Sequence, residues 1–298
     1  MRIYRKFGQF EPDDRNHAET ALNEYLVNRI EYHPVLQKVV RDVQFDTNGE
    51  VQQKTVMEYD DSGFMTSELL IEADGGVLER KTFEPDEKSR IRKEYIHYAD
   101  GSYDMIEYHY NASGQITKKV QSDNDGVVEH SVEYEYNNGH LVAEVSFDEE
   151  GTMISETTYE YDEDGLLDEK AIYHIGDNEK LVQSYVYNDE GYREAIFSTD
   201  SSGQLIEKFL FTLDEKGRPV GVVEENRQKK NRITMEYDEK DHVILQEEVD
   251  LRGELVSKVR RYYDHDGLFL KSEVTARNPV NGIIQQYEVM HVYEFFDE

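Results

Sequence analysis

Tyr159-Glu160-Tyr161-Asp162-Glu163-Asp164-Gly165-Leu166-Leu167 is the stretch that decides the fold. Asp162 can accept a hydrogen bond from the backbone two residues on, and Gly165 supplies a left-handed conformation without steric cost. Asp-x-x-Gly is the chemistry of a type I turn closed by a Gly bulge, a common hairpin connection. Upstream, Met153, Ser155, Thr157, Tyr159 and Tyr161 alternate with Ile154, Glu156, Thr158 and Glu160, the period-two pattern of a half-buried strand. After Gly165 an apolar pair opens the next strand.

The unit recurs. Tyr59-Asp60-Asp61-Ser62-Gly63 and Tyr263-Asp264-His265-Asp266-Gly267 repeat it, and Tyr110-Asn111 and Tyr187-Asn188 open close variants. Anchors at Tyr59, Phe83, Tyr110, Tyr136, Tyr161, Tyr187, Leu213, Tyr237 and Tyr263 are 24 to 27 residues apart. A second turn series interleaves, with glycines at Gly49, Gly76, Gly101, Gly126, Gly151, Gly203, Gly253 and Gly282. Gly176 and the stretch 226–230 stand where its missing members belong. One repeat is therefore strand, turn, strand, turn over about 25 residues. Turns this short exclude parallel crossovers. The expected fold is all-β: a long antiparallel meander of eighteen to twenty strands built from hairpin repeats, curled or solenoid-like, with its aromatic face buried.

Residues 1–40 read differently. Ala18, Ala21, Leu22, Tyr25, Leu26 and Ile30 recur at helical spacing behind Asp13 and Asp14, ahead of Pro34. They predict a short amphipathic helix over 13–31 that caps the array at 41–298.

Composition sets further bounds. The 298 residues carry a net charge of -32, yet 22 Tyr and 12 Phe with regular alternation argue for a folded chain. Residues 1–40 hold six Lys/Arg and six Asp/Glu, so the whole excess falls on 41–298. That field repels nucleic acid and anionic membranes and attracts basic proteins. There is no Cys. The opening residues lack the apolar core of a signal peptide, and no apolar run reaches the ~20 residues of a membrane span, so a cytoplasmic protein is expected.

The Tyr-x-Tyr-Asp-x-x-Gly spacing at 159–165, with Tyr134-Glu135-Tyr136-Asn137 and Tyr185-Val186-Tyr187-Asn188, resembles the YD repeats of RHS-type proteins over residues 41 to about 275. The resemblance implies a curled sheet that encloses or displays polypeptide cargo. Bacterial immunity proteins built from related short β-repeats are a second analogy. The chain departs from the family in three ways. Its period is longer, it has no toxin tip, and only Gly217-Arg218 carries the Arg that usually follows the turn Gly.

Residues that could carry chemistry are few. Asp123-Asn124-Asp125-Gly126, Asp162–Gly165 and Asp264–Gly267 are similar to calcium loops, but the Glu required six residues after Gly126 is Val132. Turn chemistry accounts for them, and no metal or cofactor is implied. The histidines fall in no zinc-binding spacing, and the chain has no Gly-x-Ser-x-Gly elbow, P-loop or Gly-x-Gly-x-x-Gly. The chain is read as a non-enzyme. The basic cluster Arg227-Gln228-Lys229-Lys230-Asn231-Arg232 reads as a solvated turn balanced by Glu224 and Glu225.

The expected function is protein binding, with Glu129, Glu133, Glu135, Glu156 and Glu160 receiving a basic partner and Tyr side chains as anchors. An immunity protein or chaperone for a basic toxin or effector is the concrete form. The bland reading is that these carboxylates only keep a long sheet soluble and block edge pairing. The alternatives are a structural or shell element of a secreted or surface assembly and, behind it, a glycan-binding protein or enzyme. Absence of Trp weighs against the glycan reading.

Overall fold

The computed structural model describes residues 1–7 and 24–295. Among them the chain is all-β, with 22 strands and no helix. In chain order the strands are β1 Arg2–Phe7, β2 Glu24–Tyr32, β3 Val39–Phe45, β4 Val51–Tyr59, β5 Met65–Glu72, β6 Val77–Pro85, β7 Ile91–His97, β8 Tyr103–Tyr110, β9 Ile116–Ser122, β10 Val128–Asn137 and β11 His140–Phe147. They continue as β12 Met153–Tyr161, β13 Leu167–His174, β14 Glu179–Tyr187, β15 Arg193–Thr199, β16 Leu205–Leu213, β17 Pro219–Asn226, β18 Lys230–Tyr237, β19 Val243–Val249, β20 Leu255–Tyr263, β21 Phe269–Arg277 and β22 Ile284–Val292. The chain forms two compact units, residues 55–208 and residues 1–54 with 209–298.

In the 55–208 unit, β5 to β15 pair antiparallel in strict sequence order. In the other unit, β17 to β22 do the same, and β1 lies between β22 and β2, which pairs on with β3. The first strand thus joins the last strand to the second.

The helix expected over 13–31 does not form where the structure describes it. Tyr25, Leu26 and Ile30 belong to β2, while Asp13, Asp14, Ala18, Ala21 and Leu22 lie outside the described residues. The same segment also alternates, and pairing with β1 and β3 satisfies its backbone on both sides. Such ladders outweigh helix propensities of a few tenths of a kcal/mol per residue. β1 and β2 also raise the strand number above the expected eighteen to twenty.

The turns follow their chemistry closely. In the hairpin after β12, Gly165 N–H donates to Asp162 C=O at 3.1 Å and Asp162 N–H to Leu166 C=O at 2.9 Å. Asp162 Oδ1 accepts from the Asp164 and Leu166 N–H groups at 3.0 and 2.8 Å. Asp60, Asp264 and Asn188 repeat this pattern. Where glycine is missing, Ser89, Asn178 and Asp241 take the positive φ. Two positions need correcting. Gly75, at φ +93°, and not Gly76, is the turn glycine after β5. The residue before Asp86 is Pro85, so Phe83 sits two places ahead of the turn position taken elsewhere by Tyr.

A β-bulge follows most turns. Glu160 pairs with Glu169 but Tyr161 with Leu167, which leaves Asp168 as the extra residue. Opposite the bulge, the turn Tyr forms a latch. Its hydroxyl donates to a carbonyl at the start of the preceding strand: Tyr136 to Ile116, Tyr161 to Leu141 and Tyr187 to Leu167, each at 2.9 Å. Tyr110, Tyr237 and Tyr293 do the same at 2.6 to 2.9 Å. The repeated Tyr is thereby accounted for as a fastener between repeats.

The expected burial of an aromatic face is not met. Among the described residues, the buried apolar side chains are Val43, Ala143, Ala171 and Ala195, and no large side chain falls below 2% exposure. Most strand residues are half-buried.

Candidate binding face

Residues directly paired across a ladder share a face, so the register sorts the side chains of the 55–208 unit. On one face, Tyr108 pairs with Lys119, Tyr134 with Glu144 and Tyr159 with Lys170. Glu94 and Ile106, on the same face, precede them. Even strands supply tyrosines, and odd strands supply Glu94, Lys119, Glu144 and Lys170, alternating in sign. The Tyr108 hydroxyl donates to Glu94 at 2.8 Å and the Tyr159 hydroxyl to Glu144 at 2.7 Å. Lys119 Nζ sits 5.7 and 5.6 Å from the Tyr108 and Tyr134 ring centres, and Lys170 Nζ 5.6 Å from Tyr159. Burial, and then the hydrogen bond to a carboxylate, push the Tyr108 and Tyr159 phenols well above their ordinary range. The aromatic face is thus a charged ladder rather than a dry core.

The opposite face holds four of the five carboxylates predicted to meet a partner. Glu133 and Glu135 project from β10, and Glu156 and Glu160 from β12. β11 runs between them, with Val145 paired to both Glu133 and Glu156, and Ala143 to Glu135. Two strand spacings of about 4.8 Å separate the two acidic rows. The fifth, Glu129, is the extra residue of the bulge at the start of β10, and the bulge turns its carboxylate to Gln121, which pairs with Ile106 on the Tyr face. Glu133 is engaged by Lys118 at 2.7 Å, and Glu129 accepts from Gln121 at 3.2 Å. Glu135, Glu156 and Glu160 have no ion pair among the described residues. The structure therefore brings Glu133, Glu135, Glu156 and Glu160 together and leaves Glu129 on the Tyr face. It also adds an apolar strip that the sequence reading missed: Ala143, Val145 and Tyr173, which pairs with Glu156. The signal was present in the alternation of β11 and β13, but only the register assigns it to this face.

The remaining candidates resolve as turn chemistry. Asp60 is held below the usual carboxylate range, first by the Ser62 hydroxyl and then by the Phe64 N–H. Asp86 is lowered to about 2, chiefly by the Arg90 guanidinium and the backbone N–H of Arg90. Asp264, His265 and Asp266 bring three potential ligand atoms within 4.8 Å of one another. Asp264 Oδ1 already accepts from two backbone N–H groups, and the Lys240 ammonium donates to the His265 carbonyl beside it. The basic cluster is balanced as expected, Lys229 by Glu224 at 2.6 Å and Lys230 by Glu225 at 2.9 Å.

No protein-family model matches the chain. No curated protein matches it either. Among solved structures, the TcdB2-TccC3-Cdc42 crystal structure aligns at 11% identity over 94% of this chain and 18% of that one, with a TM-score of 0.45. TcdB2-TccC3-TEV aligns at 12% identity over 91% and 18%, with a TM-score of 0.40. A porin-like protein from Bacteroides uniformis aligns at 11% identity over 98% and 96%, with a TM-score of 0.38. The likeness to RHS-type repeats is loose. These similarities carry no functional argument. The chain spans about a fifth of the TcdB2-TccC3 chains it matches.

Proposed function

We propose that this chain is a non-enzymatic binding protein that receives a basic polypeptide on the face bearing Glu133, Glu135, Glu156 and Glu160. An immunity protein or chaperone for a basic toxin or effector is its concrete form. The supporting observation is the placement of Glu133, Glu135, Glu156 and Glu160 on one face of β10 and β12, around the apolar Val145, in a chain of net charge -32. Charge steers a basic partner in, and half-buried apolar side chains between the charges supply contact area.

Decalysine, labelled and followed by fluorescence anisotropy, tests the reading. A variant with these four residues changed to Gln is compared with one in which four turn carboxylates, Glu149, Glu150, Glu163 and Glu215, are changed to Gln. Both lose the same charge. The proposal expects the face variant to bind about tenfold more weakly, or ~1.4 kcal/mol, and the turn variant far less affected. Equal weakening reduces the face to its share of net charge and removes the proposal.

A further inference from the structure

The two rims of the 55–208 unit differ. At the Tyr-Asp-x-x-Gly rim, apolar residues at the start of the strands, Ile116, Leu141 and Leu167, are half-buried beneath the latches of Tyr136, Tyr161 and Tyr187. At the other rim the residues before the turn Asp are Ser122 and Phe147, which form no such latch. The apolar residues opening the even strands stay in water there, with Val77 at 52% and Val128 and Met153 at 38% exposure.

The register places these residues on the carboxylate face. Met153 pairs with Phe147, Phe147 with Ser131, and Ser131 lies two residues from Glu133. Val128 pairs with Ser122, which pairs with Met105, and Tyr103 lies two residues before Met105 on the same strand. Val77 pairs with Ile71 on β5, two residues from Leu69, which pairs with Arg80; Arg80 pairs with His97, and His97 with Tyr103. Val77, Tyr103, Val128 and Met153 therefore form one row across β6, β8, β10 and β12. Each step crosses two strand spacings, about 9.6 Å, and moves two residues along the strands, about 6.7 Å, so the row runs diagonally with about 12 Å between its members. Seven or eight residues of α-helix rise about 10.5 to 12 Å and share one apolar stripe, so a helix laid along the row presents an apolar residue to each step. Three steps need about 35 Å, a helix of roughly 24 residues. The Glu133 and Glu156 row lies about three residues further along the strands, ~10 Å, which is the width of a helix. The row ends where Lys180 replaces an apolar residue on the same face of β14, paired with Tyr173.

From this geometry we propose that the partner segment is a basic amphipathic helix, its apolar side on the Val77–Met153 row and its cations over Glu133 and Glu156. This rests on the carboxylate face being the binding face and names the form of its ligand. The probe is a synthetic 24-residue Leu/Lys peptide with Leu spaced three and four apart, measured beside a scrambled peptide of the same composition and beside decalysine. A Val128→Gln, Met153→Gln double variant changes only exposed positions. The proposal expects it to bind the helical peptide about tenfold more weakly while holding decalysine as before. On the unmodified chain, the helical peptide should bind about tenfold tighter than its scramble. If the scramble binds equally well, or the double variant binds the helical peptide unchanged, the helix proposal is overturned. Decalysine that still favours the Glu face would leave the broader reading standing.

Discussion

Each Asp that opens a turn satisfies two backbone N–H groups with one oxygen, and at Asp86 the Arg90 guanidinium adds the largest part of the hold on the carboxylate. Asp86 titrates at about 2 in the folded chain against an ordinary 3.8. A depressed carboxylate pKa contributes stability above the unfolded value and loses it as pH falls through the folded one. Stability should therefore drop between about pH 4 and pH 2. Asp86→Asn should remove part of that drop, as read from urea midpoints at each pH. Asn188 already serves in the same position without a charge and should contribute nothing to the slope. The latch is testable at the same scale. Tyr161→Phe removes only the hydroxyl that donates to Leu141 and should cost about 1 kcal/mol in urea unfolding. The Asp and Gly roles were legible in the sequence because a turn is decided by four or five consecutive residues. The Tyr latch was not, because its acceptor lies about twenty positions earlier and is a backbone atom no side chain advertises.

Strands obey rules that local pattern reveals only in part. Alternation in β10 and β12 showed that Glu133, Glu135, Glu156 and Glu160 share a side, since period two is a property of one strand. What fills the gaps between them depends on the neighbouring strand and on the bulges that shift its register, which is why Val145 and Ala143 were invisible. The same limit explains the misread N-terminal helix. Tyr25, Leu26 and Ile30 fit a helical period and an extended one, and pairing with β1 and β3 decides between them. β1 itself yields a prediction. Its ladders to β2 and β22 cover both edges. Removing residues 1–7 leaves those edges unpaired, and such edges associate. Size-exclusion chromatography with light scattering should then show oligomers that the full chain lacks. An unchanged monomer–oligomer profile would mean that the edges are protected in another way.

Charge governs the behaviour of the whole molecule. Sixty-five acidic residues against thirty-three basic ones make the folded chain self-repelling. Raising salt from about 20 to 500 mM screens that repulsion, because the Debye length falls from about 20 Å to a few Å, and should raise the melting temperature. The same salt should weaken the hold on any basic partner. The central claim is that attraction is focused on one face and is not spread evenly over a -32 surface. Zero-length carbodiimide coupling of decalysine to the chain, mapped by mass spectrometry, tests this most directly. The account predicts adducts concentrated at Glu133, Glu135, Glu156 and Glu160. Adducts distributed over the turn carboxylates in proportion to their exposure would contradict it.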